Sequence, residues 1–366
     1  MSTKEEMSHG ERVRAAIDLK EPDRVPAFCT LSWAVNLAGN NLNCIGKKEK
    51  DVSMPQFLNT PAIQAEAHFK ATELFDADFV WCYSSNQPVA VALGCETNQP
   101  YWSTTAISRT AIDKVEYWKN LEFPNIEKDP TTSKQLDTIR LVEKGLHEKR
   151  GNDTFIDGLT NGPFTIAGLV LGIEKLMFAM VDRPDDTKEF IDFYTDVAIE
   201  VAKAQLDAGA DQIFCPDPSA SGDLIPPDFY KEFALPYAQK YCKAIVGHKD
   251  RYSCMYHICG DTADRLEDLA SIGVSFLSLD YKVSMKEAKE RIGDKVCLCG
   301  NVNPAETLFL GTPEKIEEEG RQCIRDAAPG GGYIYWSGCD LPIDCSLKNV
   351  KAFMEVPIKY GKYPIN

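Results

Sequence analysis

Short apolar or β-branched runs alternate along this chain with longer stretches in which apolar residues recur every three or four positions. That alternation is the signature of βαβ units and a parallel sheet. Eight runs read as strands: Val25–Cys29, Phe79–Tyr83, Thr154–Leu159, Gln212–Pro216, Tyr252–His257, Ser275–Leu279, Lys295–Leu298 and Tyr333–Trp336. The joints LFDADFVW, DAGADQIF and SIGVSFLSL each end a helix on a small or turn-forming residue before a strand begins. Gly209 and Gly273 suit the left-handed position that closes a helix. Eight such units close into an α/β fold of the (β/α)8, or TIM-barrel, type. An open doubly wound sheet is the competing architecture, but no G-x-G-x-x-G and no G-x-x-x-x-G-K-[ST] follows any of the strands.

No Pro/Ser-rich linker or block of like charge divides the chain, so residues 1–366 are read as one barrel domain. Two segments, 31–71 and 89–150, are too long for plain βα loops; insertions of that size are expected to cover the barrel mouth or build an interface. With 40 basic and 55 acidic residues the formal net charge is −15. Such a surface repels phosphate backbones and anionic lipid, which argues against nucleic acid and membrane as partners. The opening MSTKEEMSHGERVRAAIDLK lacks the apolar core of a signal peptide, and no 18 apolar residues run together. The 13 cysteines are therefore expected as free thiols in a reducing cytoplasm, and an odd number rules out complete pairing within one chain.

In a barrel, functional residues gather where the strands end at the C-terminal face. Two strand ends stand out. His257 and Cys259 are two apart, so in an extended segment both side chains aim the same way. Cys339 leaves the last strand and could meet them. One imidazole and two thiolates with an open fourth position form a catalytic zinc set. The alternative is that these cysteines are small core hydrophobes, as Cys215, Cys254 and Cys297 are read to be. Cys297-x-Cys299 is a competing pair, but no histidine completes it and it is read as structural.

Asp217, held between Pro216 and Pro218, either points its carboxylate into the mouth or caps the helix that starts near 219–223. Asn161 in NGPF and Asn301 in GNVNP either bind a substrate's polar atoms or form turns. Trp33, Trp81, Tyr83, Tyr335 and Trp336 place aromatic surface near strand ends, though alternate positions must face the helices. Tyr83 and Trp336 are taken as substrate contacts together with Asn161, Asp217 and Asn301.

The segments ERVRAAIDLKEPDRVPAF, GPFTIAGLVLG, AGADQIFCPDPSASGDLIPPDFYKEFALPY, HICGDTADRLEDLASIGV, VCLCGNVNPAETLFLGTPEKI and SGCDLPIDCSLKNVKAFME resemble the uroporphyrinogen-decarboxylase superfamily, from about residue 11 to about residue 359. Within it the chain is most similar to the corrinoid-linked methyltransferases, those acting on coenzyme M, chloromethane or methoxylated aromatics. That resemblance implies a zinc site on His257, Cys259 and Cys339, which would be the catalytic residues. The decarboxylase itself fits poorly. Its arginine-rich signature corresponds here to residues 28–36, which contain no arginine, and its G-H-G triplet corresponds to Gly338-Cys339-Asp340. Cobalamin-independent methionine synthase is about twice as long. None of the five histidines is preceded two residues earlier by an aspartate, so no D-x-H-x-x-G corrinoid motif occurs. The resemblance then implies Zn2+ on this chain and a corrinoid (cobalamin) supplied by a separate corrinoid-binding protein, with a homodimer as the candidate assembly. Coenzyme M carries a sulfonate, whereas YIYWSGCDLPIDC holds no cation; the aromatics suit an aryl methyl ether. The expected direction is therefore methyl donor to Co(I), as in O-demethylation of methoxylated aromatics, with transfer to a thiol as the alternative. A barrel that binds a partner without chemistry is disfavoured by the intact zinc trio.

Overall fold

The computed structural model describes residues 7–28, 52–82, 87–100, 105–150, 153, 155–248 and 254–365. Nine strands are found among them: β1 (Phe79–Trp81), β2 (Glu96–Asn98), β3 (Ala106–Arg109), β4 (Phe155–Leu159), β5 (Gln212–Pro216), β6 (Cys254–Ile258), β7 (Phe276–Leu279), β8 (Cys297–Val302) and β9 (Tyr333–Ser337). Seven form one sheet in the order β1-β4-β5-β6-β7-β8-β9, every neighbouring pair parallel. Helices α1 (His9–Ile17), α2 (Pro61–Phe75), α3 (Thr132–Arg150), α4 (Pro163–Leu171), α5 (Pro184–Asp207), α6 (Leu235–Ile245), α7 (Leu266–Ala270), α8 (Met285–Ile292), α9 (Pro313–Ala327) and α10 (Leu347–Tyr360) make the major crossovers and the terminal helices. Sequential strands that pair in parallel through helical crossovers are the (β/α)8 pattern.

The first expected strand, Val25–Cys29, is not an extended ladder. Its described part fills the gap between β9 and β1 instead: Ala27 bridges Tyr335 in parallel, Tyr335 N–H donates to Pro26 O at 2.8 Å, and Asp78 N–H donates to Ala27 O at 2.9 Å. Pro26 has no N–H, and the Ala27 N–H goes to Asp78 Oδ2 at 2.8 Å. Few donors are left for a ladder, which explains the reduced pairing. The seventh expected strand begins two residues later and runs further than its sequence implied. Gly300-Asn301 reads as a turn but stays paired with Tyr335 and Trp336. Gly209 and Gly273 do end helices at φ 117° and 91°. In the longer insertion, β2 and β3 pair antiparallel. Among the described residues no single helix is long and apolar enough to cross a membrane.

The segment ahead of β1 is locked by charge. Asp78, 0% exposed, accepts from Arg12 at 2.5 Å and from Arg24 at 2.7 Å, and His9 Nδ1 lies 3.0 Å away. Burial alone would raise the Asp78 pKa, but the His9 hydrogen bond and the Arg24 and Arg12 charges hold it far below the usual carboxylate range.

Asp157 in β4 is the opposite case. It is fully buried, and burial pushes its pKa well above the usual range, with the neighbouring Gln212 side chain offsetting only part of that rise. Its pKa in the fold therefore lies above that in the unfolded chain, which ionises it above about pH 4. Unfolding releases a proton in that window, so stability falls as pH rises from about 4 towards the raised pKa. Asp157→Asn is expected to stabilise the protein at pH 7 by about 1 kcal/mol or more and to lose that advantage near pH 3. Urea unfolding at the two pH values checks this; an equal effect at both would contradict it.

Candidate metal centre

His257 is the fourth residue of β6, and its register partner on β7 is Ser278. Ser278 Oγ lies 2.9 Å and Ser278 O 3.3 Å from His257 Nδ1. A carbonyl can only accept, so this contact assigns the proton to Nδ1 and leaves the Nε2 lone pair free. Nε2 points to Cys259 Sγ at 3.2 Å, and that sulfur is 3.6 Å from Cys339 Sγ. Cys339 arrives from the end of β9, where Ser337 Oγ donates to its carbonyl at 2.6 Å and pins the turn. All three donor atoms lie within 4.8 Å of one another.

These separations match what a tetrahedral zinc requires. Two sulfurs each about 2.3 Å from zinc stand about 3.8 Å apart, and a sulfur and an imidazole nitrogen about 3.5 Å apart. The donor set and its spacing thus fit the ion, with a fourth position left for a ligand. The hydrogen bond from Cys339 holds Cys259 below the usual thiol pKa, and the same pairing with burial drives Cys339 up. A cation that takes both as thiolates removes that conflict.

The trio borders a cavity of about 320 Å3. Trp81, Phe214 and Trp336 form one side of it, with ring centroids 4.4 Å (Trp81 to Phe214) and 5.7 Å (Trp81 to Trp336) apart in edge-on contacts. Leu159, Leu169, Pro216 and Pro218 extend this apolar lining. Polar atoms come from Asn161, Thr165, Ser219 and Gln87, the last lying just ahead of the longer insertion; no described residue of 89–150 lines the cavity.

Of the residues singled out from the sequence, His257, Cys259, Cys339, Asn161, Trp81 and Trp336 come together at this cavity. Asp217, Asn301 and Tyr335 do not. Asp217 is fully buried beside it, and its carboxylate accepts from Thr165 N–H at 2.7 Å and Tyr256 OH at 2.6 Å. It caps the start of α4, which has no side-chain cap of its own, rather than facing the mouth or capping the helix that follows it. Asn301 turns its amide to the loop after β7, donating to Val283 O at 2.7 Å and Asp280 O at 3.0 Å. Those carbonyls need a donor, and satisfying them takes Asn301 away from the substrate side. Tyr83 and Trp33 lie outside the described residues. Tyr335 faces outward, stacked on Phe353 at 4.6 Å. Cys297 and Cys299 are buried within β8, where burial pushes both thiols up, in keeping with a structural role.

Sequence reasoning missed Phe214, Leu159 and Ser278. The period-2 alternation of β4 and β5 could have found the first two, since they share a face with Asp157 and Gln212. Ser278 carries no local signal; only the β6–β7 register reveals it.

The uroporphyrinogen decarboxylase (URO-D) family model matches residues 8–360. Methylcobamide:CoM methyltransferase MtaA of Methanosarcina barkeri is 28% identical over 351 residues, 95% of this chain and 97% of the relative. Methylcobamide:CoM methyltransferase MtbA of Methanosarcina mazei is 31% identical over 243 residues, 66% of this chain and 69% of the relative. A solved methyltransferase from Methanosarcina mazei superposes with a TM-score of 0.84 at 25% identity, covering 97% of this chain and 99% of that one. A match across nearly the whole barrel, including the three-donor wall, places this chain in the uroporphyrinogen decarboxylase family.

Proposed function

We propose that this chain is a zinc-dependent methyltransferase that moves a methyl group from a methylcorrinoid, carried on a separate protein, to a small thiol. The observation that carries the reading is the convergence of His257, Cys259 and Cys339 on the wall of an apolar cavity at the C-terminal ends of the strands. The similarity to MtaA and MtbA, both named for transfer from a methylcobamide to CoM, supports the thiol as acceptor over the ether that the aromatic residues alone suggest. Zinc held by these residues would supply the positive charge that keeps a bound thiol ionised at neutral pH.

The chain's own residues prepare the reaction. Ser278 fixes the His257 ring, and Ser337 fixes the turn that presents Cys339. Trp81, Phe214 and Trp336 exclude water from the substrate sulfur, which leaves the thiolate poorly solvated and nucleophilic. Asn161 offers its amide to a polar atom of the substrate. The thiol loses its proton to solvent on binding. The sulfur–carbon bond then forms as the carbon–cobalt bond breaks, and the electron pair stays on cobalt, which goes from Co(III) to Co(I). No general base is required, so alignment of the two reactants is the main contribution.

The ring-lined cavity also suits the reverse transfer, an aryl methyl ether giving its methyl to Co(I). Zinc-loaded protein with methylcobalamin and a thiol is expected to convert the methylcobalamin spectrum to that of cob(I)alamin. If only a methoxyaromatic with cob(I)alamin reacts, yielding methylcobalamin, the direction is reversed; if neither pair reacts, methyl transfer is wrong. Ser278→Ala is expected to weaken zinc binding about 10- to 100-fold, read by competition with a chromophoric chelator. Unchanged affinity would mean that Ser278 does not orient the ligand.

A further inference from the structure

The lining of the cavity carries a charge bias that the transfer chemistry itself does not need. Asp340 directly follows Cys339 and lines the cavity, with the Leu341 N–H donating to its Oδ1 at 2.9 Å. No Lys or Arg stands among the described lining residues. Trp81 and Trp336 line the same cavity, yet their Nε1 atoms are buried and have no hydrogen-bond partner. The rings therefore offer carbon rather than N–H to an occupant.

We infer that the cavity selects thiols with an uncharged, apolar tail and discriminates against thiols with an anionic tail, a sulfonate included. This rests on the reading of thiol methyl transfer above and narrows its substrate class. An anionic tail would lose hydration against ring carbon and aliphatic surface, and among the described lining residues Asn161 offers it a neutral donor and no Lys or Arg offers a charge. It would also sit in the field of the Asp340 carboxylate, inside a chain of formal charge −15. An apolar tail incurs neither cost and covers Trp81, Phe214 and Leu169. A cationic tail gains Asp340 but must shed its hydration against the same apolar surface.

The test is a charge series of short thiols, 1-propanethiol, 2-mercaptoethanesulfonate and cysteamine, bound to the full-length zinc-loaded protein and followed by quenching of tryptophan fluorescence. Propanethiol is expected to bind at least tenfold more tightly than either charged thiol. Asp340→Asn, checked for unchanged zinc content, is expected to tighten mercaptoethanesulfonate at least threefold and leave propanethiol unaltered. Equal or tighter binding of the sulfonate, or cysteamine as the best ligand, overturns the inference, as does a failure of all three to bind. A parallel assay of methyl transfer from methylcobalamin separates the two readings. The expected binding order without methyl transfer keeps the selectivity and removes the thiol reaction; methyl transfer that prefers the sulfonate does the reverse.

Discussion

Cys339→Ser is expected to leave the protein folded, to lower its zinc from one per chain to a trace, and to reduce methyl transfer more than about a hundredfold. Loss of an outer partner of a ligand costs about 10- to 100-fold in metal affinity, and loss of a direct ligand costs more. The fold is expected to survive because Cys339 sits beyond the end of β9, half-exposed, and its turn is held by the Ser337 hydroxyl on a backbone carbonyl that serine at 339 retains. Elemental analysis, thermal unfolding and the methylcobalamin assay on one preparation check the three parts. Full zinc content in the variant would remove Cys339 from the ligand set. Zinc loss with unchanged transfer would separate the metal from the chemistry.

Asp78→Ala is expected to destabilise the protein by about 3–5 kcal/mol. The change leaves Arg12, 0% exposed, and Arg24, 8% exposed, without the carboxylate that compensates their burial. Asp23 still accepts from Arg12 Nε at 2.7 Å and keeps part of that charge compensated. The pH dependence follows from the depressed Asp78 pKa. Its contribution is fully present above the ordinary carboxylate pKa of about 3.9 and is lost as pH falls below that towards the lower folded value. Denaturant unfolding of wild type and variant should therefore converge in strong acid. A cost below about 1 kcal/mol at pH 7 would show that the arginines find other partners.

What could be read from the sequence follows the distance over which each feature is determined. Strands such as Gln212–Pro216 are written in local alternation, and the structure places β5 on those residues. The His257-Cys259 pair was legible because both residues lie on one extended segment, and Cys339 because a barrel brings its strand ends to one face. The environment of Asp217 was not legible. Its partners, Thr165 and Tyr256, come from α4 and β6, and nothing near position 217 signals an uncapped helix start elsewhere in the chain. Asn301 differs from expectation for the same kind of reason, since the carbonyls of Asp280 and Val283 claim its amide. At Val25–Cys29 the composition resembles a strand, but Pro26 and the Asp78 side chain take donors that a full ladder would use. The aromatic residues favoured an ether substrate; the relatives named for CoM favour a thiol, and the cavity lining bears on what kind of thiol.

The central claim is that His257, Cys259 and Cys339 bind zinc and leave a position open for the substrate. X-ray absorption at the zinc edge of the purified protein, before and after addition of 1-propanethiol, tests it most directly. The account predicts two sulfurs at about 2.3 Å and two lighter ligands at about 2.0–2.1 Å in the free protein, and a third sulfur when the thiol is added. A zinc shell without sulfur, a shell that does not change with thiol, or a protein that takes up no zinc after reconstitution would contradict it.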